Sequence, residues 1–165
     1  RKGTDYNKSV SAVKSLGGGV LLELSHEIDY LCWLFGDLKL LSSNLRTSKE
    51  LNLDVETIAD LQMRNKDNIF INLHMDFIQK YSQRKCELIT ESGNIIWDLN
   101  TNLIKILDNS GERTLFKEDN YDKNLMYIDM LKTFENNNNQ TLANIKSSLS
   151  VLEIIDKAKK LNQNI

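Results

Sequence analysis

Proline is absent from the 165 residues, and there are only two cysteines, two histidines and seven glycines. The missing proline, taken with the run Asn136-Asn137-Asn138-Asn139, reads as codon bias plus a loop and carries no function. Cys32 in an apolar helix and Cys86 in a predicted strand have neither zinc-ligand spacing nor the number that a disulfide framework needs. Both are expected as buried free thiols, and no metal site is expected anywhere in the chain. Ser25 and Cys32 lack a second base at a motif spacing, and Cys86 stands on a strand without one, so nucleophilic catalysis is not indicated. With 21 Lys+Arg against 23 Asp+Glu and a net charge of -2, no basic block exists to grip nucleic acid or an anionic membrane. The longest apolar stretch, Val20 to Phe35, is interrupted by Glu23, His26, Glu27 and Asp29 and is too short for a bilayer. With no signal-peptide pattern either, a cytoplasmic protein is expected. The chain opens as a loop at Arg1 without an initiator methionine and so reads as a fragment of a longer protein, while 41% hydrophobic content supports one core and a single domain.

What is present is concentrated in Gly17-Gly18-Gly19-Val20-Leu21-Leu22-Glu23-Leu24-Ser25-His26-Glu27-Ile28-Asp29-Tyr30-Leu31-Cys32-Trp33-Leu34-Phe35-Gly36. Three glycines permit a sharp turn and a close backbone approach, and Gly36 stops a helix, so the span is predicted as one bounded helix. At 3.6 residues per turn Leu21, Leu24, Ile28, Leu31 and Phe35 form a core stripe. Glu23, His26, Tyr30 and Trp33 gather on another face, with Asp29 nearby, as the wall of a pocket. Taken alone, His26 has two readings: a buried ring satisfied by Asp29 or a backbone carbonyl, or a proton acceptor at neutral pH. Tyr30 and Trp33 either stack on a ligand or fill a helix–sheet contact.

Beyond Gly36 the period changes from helical to alternating. Val55, Thr57, Ala59, Leu61 and Met63 face one way, Lys66-Asp67-Asn68 is turn chemistry, and Ile69, Ile71, Leu73, Met75 and Phe77 alternate in turn, which predicts an antiparallel hairpin. Short strands are predicted over 84–90, 94–99, 103–107 and 113–116, with an edge strand over 38–48. The tail returns to helix, with one stripe of Leu125, Tyr127, Ile128, Leu131 and Phe134 and a second of Ile145, Leu149, Leu152, Ile155 and Ala158. The fold class is α+β, an open, mainly antiparallel sheet with helices packed on one face. Its other face, with Glu56, Ile58, Asp60, Gln62, Arg64, Phe70, Asn72, His74, Asp76 and Ile78, mixes charge with large apolar groups and is read as a surface of self-association. His74 falls to that interface.

The glycine triplet, an acidic residue, His26, Asp29 and the Trp33-Leu34-Phe35-Gly36 end resemble the C-terminal domain of the glucose-fructose oxidoreductase / inositol dehydrogenase / rhizopine-catabolism (Gfo/Idh/MocA) family. The branch acting on sugar nucleotides or surface polysaccharides is the nearest in pattern. Asp5-Tyr6-Asn7-Lys8-Ser9, Arg84 to Ile89 leading into Gly93 to Asp98, and Met126-Tyr127 add to the likeness in the same order. The resemblance implies a dihydrodipicolinate-reductase-like C-terminal fold, and NAD or NADP on an N-terminal Rossmann domain with a Glu-Lys-Pro motif. This chain has neither that motif nor a Gly-x-Gly-x-x-Gly turn, so residues 1–165 are expected to be one substrate-binding and oligomerisation domain, inactive alone and without a cofactor of its own. The resemblance further implies that His26 is catalytic in hydride transfer to or from a sugar or sugar nucleotide. Glu23, Asp5, Tyr6, Lys8, Ser9, Lys14 and Tyr30 would contact substrate, and Gly17, Gly18, Gly19 and Asp29 would support the site. Many members place an Asp four residues before the His, whereas Glu23 stands three before it. The alternative is a non-catalytic sugar-binding or oligomerisation module of the same fold.

Overall fold

The computed structural model describes residues 9–136 and 143–162. Two compact units emerge, Arg1–Ile78 with Ala143–Ile165, and Gln79–Leu142.

In the first unit the predicted helix is two helices, α1 (Val20–Glu23) and α2 (Ser25–Phe35), separated at Leu24, whose φ of -104° and ψ of 25° leave the helical region. Apolar periodicity runs unbroken through Leu24 and Ile28, which is why the pattern conceals the break. The strands β1 (Leu38–Arg46), β2 (Ile58–Asn65) and β3 (Phe70–Asp76) form an antiparallel sheet in the order β1-β2-β3. A bulge at Leu41 shifts the β1–β2 register, and Leu61 pairs with Ser43 on one side and Leu73 on the other. The turn between β2 and β3 is organised by Asn65, whose Oδ1 accepts the Asp67 and Ile69 amides at 2.9 Å each, while its Nδ2 donates to the Phe35 carbonyl at 3.1 Å. That side chain ties the hairpin to the end of α2.

The predicted alternation holds: Val55, Thr57, Ala59, Leu61 and Met63 are all buried. Ala59, Leu61 and Met63 form one cluster with Val20, Leu21, Ile28 and Leu31 from the helices and Val151, Ile154, Ile155 and Ala158 from α4 (Ile145–Asn162). Burying each large aliphatic side chain contributes about 1.5–3 kcal/mol, so this cluster stabilises the unit. The packed face of α4 differs from the stripe predicted for it. Ile145, Leu149 and Leu152 are exposed, and the buried set follows i, i+3, i+4, i+7 from Val151. At its end, Asn162 accepts the Leu45 amide at 2.9 Å and donates to the Ser43 hydroxyl at 2.7 Å.

The second unit is a meander of β4 (Lys85–Thr90), β5 (Gly93–Asp98), β6 (Leu103–Asp108) and β7 (Gly111–Lys117) in sequential antiparallel order, followed by α3 (Lys123–Glu135). The fold class is the α+β expected, with the antiparallel strands divided between two sheets because residues 77–84 leave strand conformation. α3 has no buried residue, and Leu125, Tyr127, Ile128, Leu131 and Phe134, expected as a core stripe, are exposed. No helix among the described residues is long and apolar enough to cross a membrane.

Candidate functional site

The glycine run forms a turn in which each residue meets a different demand. Two short 3-10 turns, Val10–Ala12 and Lys14–Leu16, bring the chain round so that the Gly19 amide donates to the Ser11 carbonyl at 2.9 Å. Gly17 has a φ of 81° and faces open space, whereas a Cβ on Gly18 would lie 2.6 Å from the Ser11 carbonyl oxygen. Gly19 adopts a φ of 120° and ψ of 154°, and a Cβ there would stand 2.3 Å from Glu56 Oε1. The turn is fastened to the residues before β2: Val20 donates its amide to the Glu56 carbonyl at 2.9 Å, and Lys14 donates its amide to Asp54 Oδ1 at 3.0 Å. Lys159 on α4 places its ammonium 3.4 Å from Glu56 Oε1.

Because α1 stops at Leu24, His26 occupies the first turn of α2. Its side chain is 53% exposed, not buried as expected, and the carboxylate within ion-pair distance is Glu27, with Oε1 3.1 Å from Nε2. Asp29, the side-chain partner expected for a buried ring, does not hold it. Glu23 accepts the Ser11 hydroxyl at 2.5 Å and so closes the glycine turn. Glu27, with its side chain 12% exposed, was missed because it lies one residue from His26, a spacing that helical-face reasoning passes over. A carboxylate set within an otherwise apolar run was the signal that could have found it.

Of the other predicted site residues, Tyr30 packs partly against the core and Trp33 projects outward at 73% exposure, outside any helix–sheet contact. Ser9 is half-buried, its carbonyl accepting the Ala12 amide at 3.0 Å, and Lys14 is exposed. Asp5, Tyr6 and Lys8 lie outside the described residues. Asp29 stands near Cys32. Burial first, then the charges of Asp29 and Asp37, pushes the Cys32 thiol up to about 11, so it stays protonated at neutral pH and is no nucleophile. Neither cysteine forms a disulfide, and both are partly buried, not fully buried as expected.

A second cluster lies on the open face of the three-stranded sheet. His74 Nδ1 is 2.6 Å from Asp60 Oδ1 and its Nε2 is 3.0 Å from Asp76 Oδ2, while Arg46 donates to Asp60 at 2.9 Å. The hydrogen bond to Asp60 is the main cause that raises the His74 pKa, and the bond from His74 is the main cause that lowers that of Asp60. The Asp76 side chain is 1% exposed, so His74 is a partner to a buried charge. Further along the face Phe70 is 67% exposed, with the Arg64 guanidinium 5.7 Å from its ring centre.

The family model for the GFO/IDH/MocA C-terminal domain matches residues 2–96, more than half of the chain, and the chain belongs to that family. No curated protein sequence matches it. Among solved structures it is similar to UDP-N-acetylglucosamine 3-dehydrogenase GnnA from Acidithiobacillus ferrooxidans, with a TM-score of 0.74 and 12% identity over 96% of this chain and 49% of that one. It is also similar to KijD10, a 3-ketoreductase from Actinomadura kijaniata in complex with TDP-benzene and NADP, with a TM-score of 0.70 and 14% identity over 87% of this chain and 47% of that one. An oxidoreductase from Agrobacterium radiobacter in complex with NAD+, L-tartaric acid and magnesium gives a TM-score of 0.66 and 11% identity over 85% of this chain and 45% of that one. At these identities the likeness is one of fold, and the chain spans about half the length of the structures it matches.

Proposed function

We propose that this chain is the substrate-binding part of a cytoplasmic NAD(P)-dependent oxidoreductase that interconverts a hydroxyl and a keto group on a sugar or sugar nucleotide. The observation that carries the reading is His26, half exposed on the first turn of α2 with a buried carboxylate against one ring nitrogen. Oxidation of a secondary alcohol removes a proton from oxygen as hydride leaves carbon, and an accessible imidazole suits the proton at neutral pH. One similar fold is named a UDP-N-acetylglucosamine 3-dehydrogenase and another is a 3-ketoreductase in complex with TDP-benzene and NADP, which supports the choice of substrate class and cofactor.

The dinucleotide itself does not fit this chain's glycine turn. Where a phosphate-cradling turn presents open amides, the space above Gly19 is filled by the Glu56 carboxylate, a negative group that repels phosphate. The cofactor is therefore assigned to a part of the protein outside the chain, and the chain's own share of the chemistry is proton acceptance and substrate placement. Glu23, Lys14, Ser9 and Tyr30, with Asp5, Tyr6 and Lys8, are proposed to contact the sugar, and Gly17, Gly18, Gly19 and Asp29 to support the site. The open sheet face, bearing Phe70, is proposed to meet a second copy of the chain.

The test is turnover of the intact protein against a panel of nucleotide sugars, followed by nicotinamide absorbance. His26→Asn is expected to lower kcat by about 10²-fold or more, the usual worth of a positioned base. Unchanged kcat in that variant removes the proton-acceptor role. An intact protein inert towards the whole panel favours the non-catalytic binding module.

A further inference from the structure

We propose that Ser11 is a positioning residue: its hydroxyl holds one oxygen of the Glu23 carboxylate, so that the other, Oε1, accepts a hydrogen bond from a sugar hydroxyl other than the one that reacts. The inference rests on the reading of this chain as a sugar-binding domain with Glu23 in contact with substrate. It adds what orients that contact and which chemical group it takes.

Ser11 Oγ donates to Glu23 Oε2 at 2.5 Å, across twelve residues of sequence. Both ends of this bond are tied to the backbone of Gly19, whose amide donates to the Ser11 carbonyl at 2.9 Å and whose carbonyl accepts the Glu23 amide at 3.0 Å. Ser11 is half-buried and is followed by the buried Ala12, whereas Glu23 is exposed. The anchored hydroxyl therefore orders a carboxylate that would otherwise sample several rotamers. Among the described residues no group is bonded to Oε1, and no ammonium or guanidinium pairs with Glu23. An ionised carboxylate offers lone pairs only, so the free oxygen takes an O–H or N–H donor and repels the phosphates of a nucleotide sugar. This corner suits the sugar ring and not the diphosphate. It also lies beside His26, because the chain stays coiled through the break at Leu24. The Leu24 amide donates to the Val20 carbonyl and the Glu27 amide to the Leu24 carbonyl, each at 2.9 Å. Glu23 and His26, three residues apart on that coil and both exposed, are thus neighbours. Ordering the carboxylate before the sugar arrives removes a cost that binding would otherwise meet. No proton is transferred to Glu23, so the effect falls on KM.

The test is a double-mutant cycle in the intact protein, read as KM for the nucleotide sugar that the panel selects, or as Kd by calorimetry where a panel member binds without turnover. Ser11→Ala is expected to raise KM about two- to tenfold, the worth of ordering one such side chain, with kcat little changed. Glu23→Ala is expected to raise it about tenfold or more, the worth of a hydrogen bond to a charged group. Adding Ser11→Ala to Glu23→Ala should raise KM no further, since Ser11 acts through Glu23. Monodeoxy analogues of the same sugar locate the partner: with the analogue that lacks the contacted hydroxyl, the effect of Ser11→Ala should vanish, which a purely structural role of Ser11 would not produce. A wild-type KM in Ser11→Ala overturns the proposal, as does a rise of equal size with and without Glu23. It is also overturned if the Ser11→Ala effect persists with every monodeoxy analogue. A panel with no member that binds overturns it together with the sugar-binding reading. If the cycle behaves as described but His26→Asn leaves kcat unchanged, the pairing stands and the proton-acceptor reading falls.

Discussion

Replacing Gly19 by alanine should be one of the costlier single-methyl additions available to this chain, and the structure separates the cost into two parts. Its backbone lies in a region that only glycine occupies readily, which penalises any side chain by about 1–3 kcal/mol. The new Cβ would also stand 2.3 Å from Glu56 Oε1 and push that carboxylate away from Lys159. The Glu56–Lys159 pair is only partly buried, so its loss is worth about 1 kcal/mol beyond the steric displacement. The expected total is about 3–4 kcal/mol, against about 1 kcal/mol for Gly17→Ala, which has a left-handed backbone but empty space beside it. A double-mutant cycle isolates the second part. In a Glu56→Ala background the Gly19→Ala cost should fall by about 1–2 kcal/mol, because only the backbone penalty persists. Gly18→Ala, which collides with the Ser11 backbone, should show no such relief. Urea unfolding combined with exchange of the Leu61 and Met63 amides reports the unit that contains the turn. The reasoning is refuted if Gly19→Ala costs no more than Gly17→Ala, or if its cost is the same with and without Glu56.

The His74 cluster should make stability depend on pH in a defined window. Since the His74 pKa is raised above its ordinary 6.5, its contribution is complete below that value and is lost as pH rises through the folded pKa. Asp60, lowered from 3.8, contributes above that value and ceases to as pH falls through its own folded pKa. The cluster is thus most stabilising between those two ordinary values, by about 0.2–1 kcal/mol at this exposure, and His74→Gln should flatten the thermal midpoint across the upper limb; an identical profile in the variant counts against it. Phe70→Glu should abolish self-association in sedimentation while leaving circular dichroism unchanged, and a wild-type chain that sediments as a monomer defeats the interface proposal.

The sheet of the first unit was readable because Val55 to Met63 alternates with only Ile58 out of pattern, and burial of one face enforces that alternation. The turns were readable for a chemical reason, since Asn65 to Asn68 supplies both a carbonyl acceptor and a residue that tolerates a φ of 61°. The break at Leu24 was hidden because it involves neither glycine nor proline and leaves the apolar spacing intact. The register of α4 was misplaced because leucines and isoleucines occur on more than one of its faces, and the sheet selected the face that begins at Val151. In the site, His26 was visible as a titratable group in an apolar run, but its partner was not. Side-chain rotation brings adjacent residues together, and period counting holds no information about it.

Asn162 gives the sheet a property that reaches beyond its own stability. The outward-facing Leu45 N–H and Ser43 carbonyl of β1 are both engaged by one side-chain amide from the end of α4, which also bonds the Ala158 carbonyl. A strand margin with satisfied donors and acceptors offers no template to an incoming chain. The helix terminus thereby acts as a guard against lengthening of the sheet beyond β1, and it does so without a charge or a proline, the devices more often found on such margins.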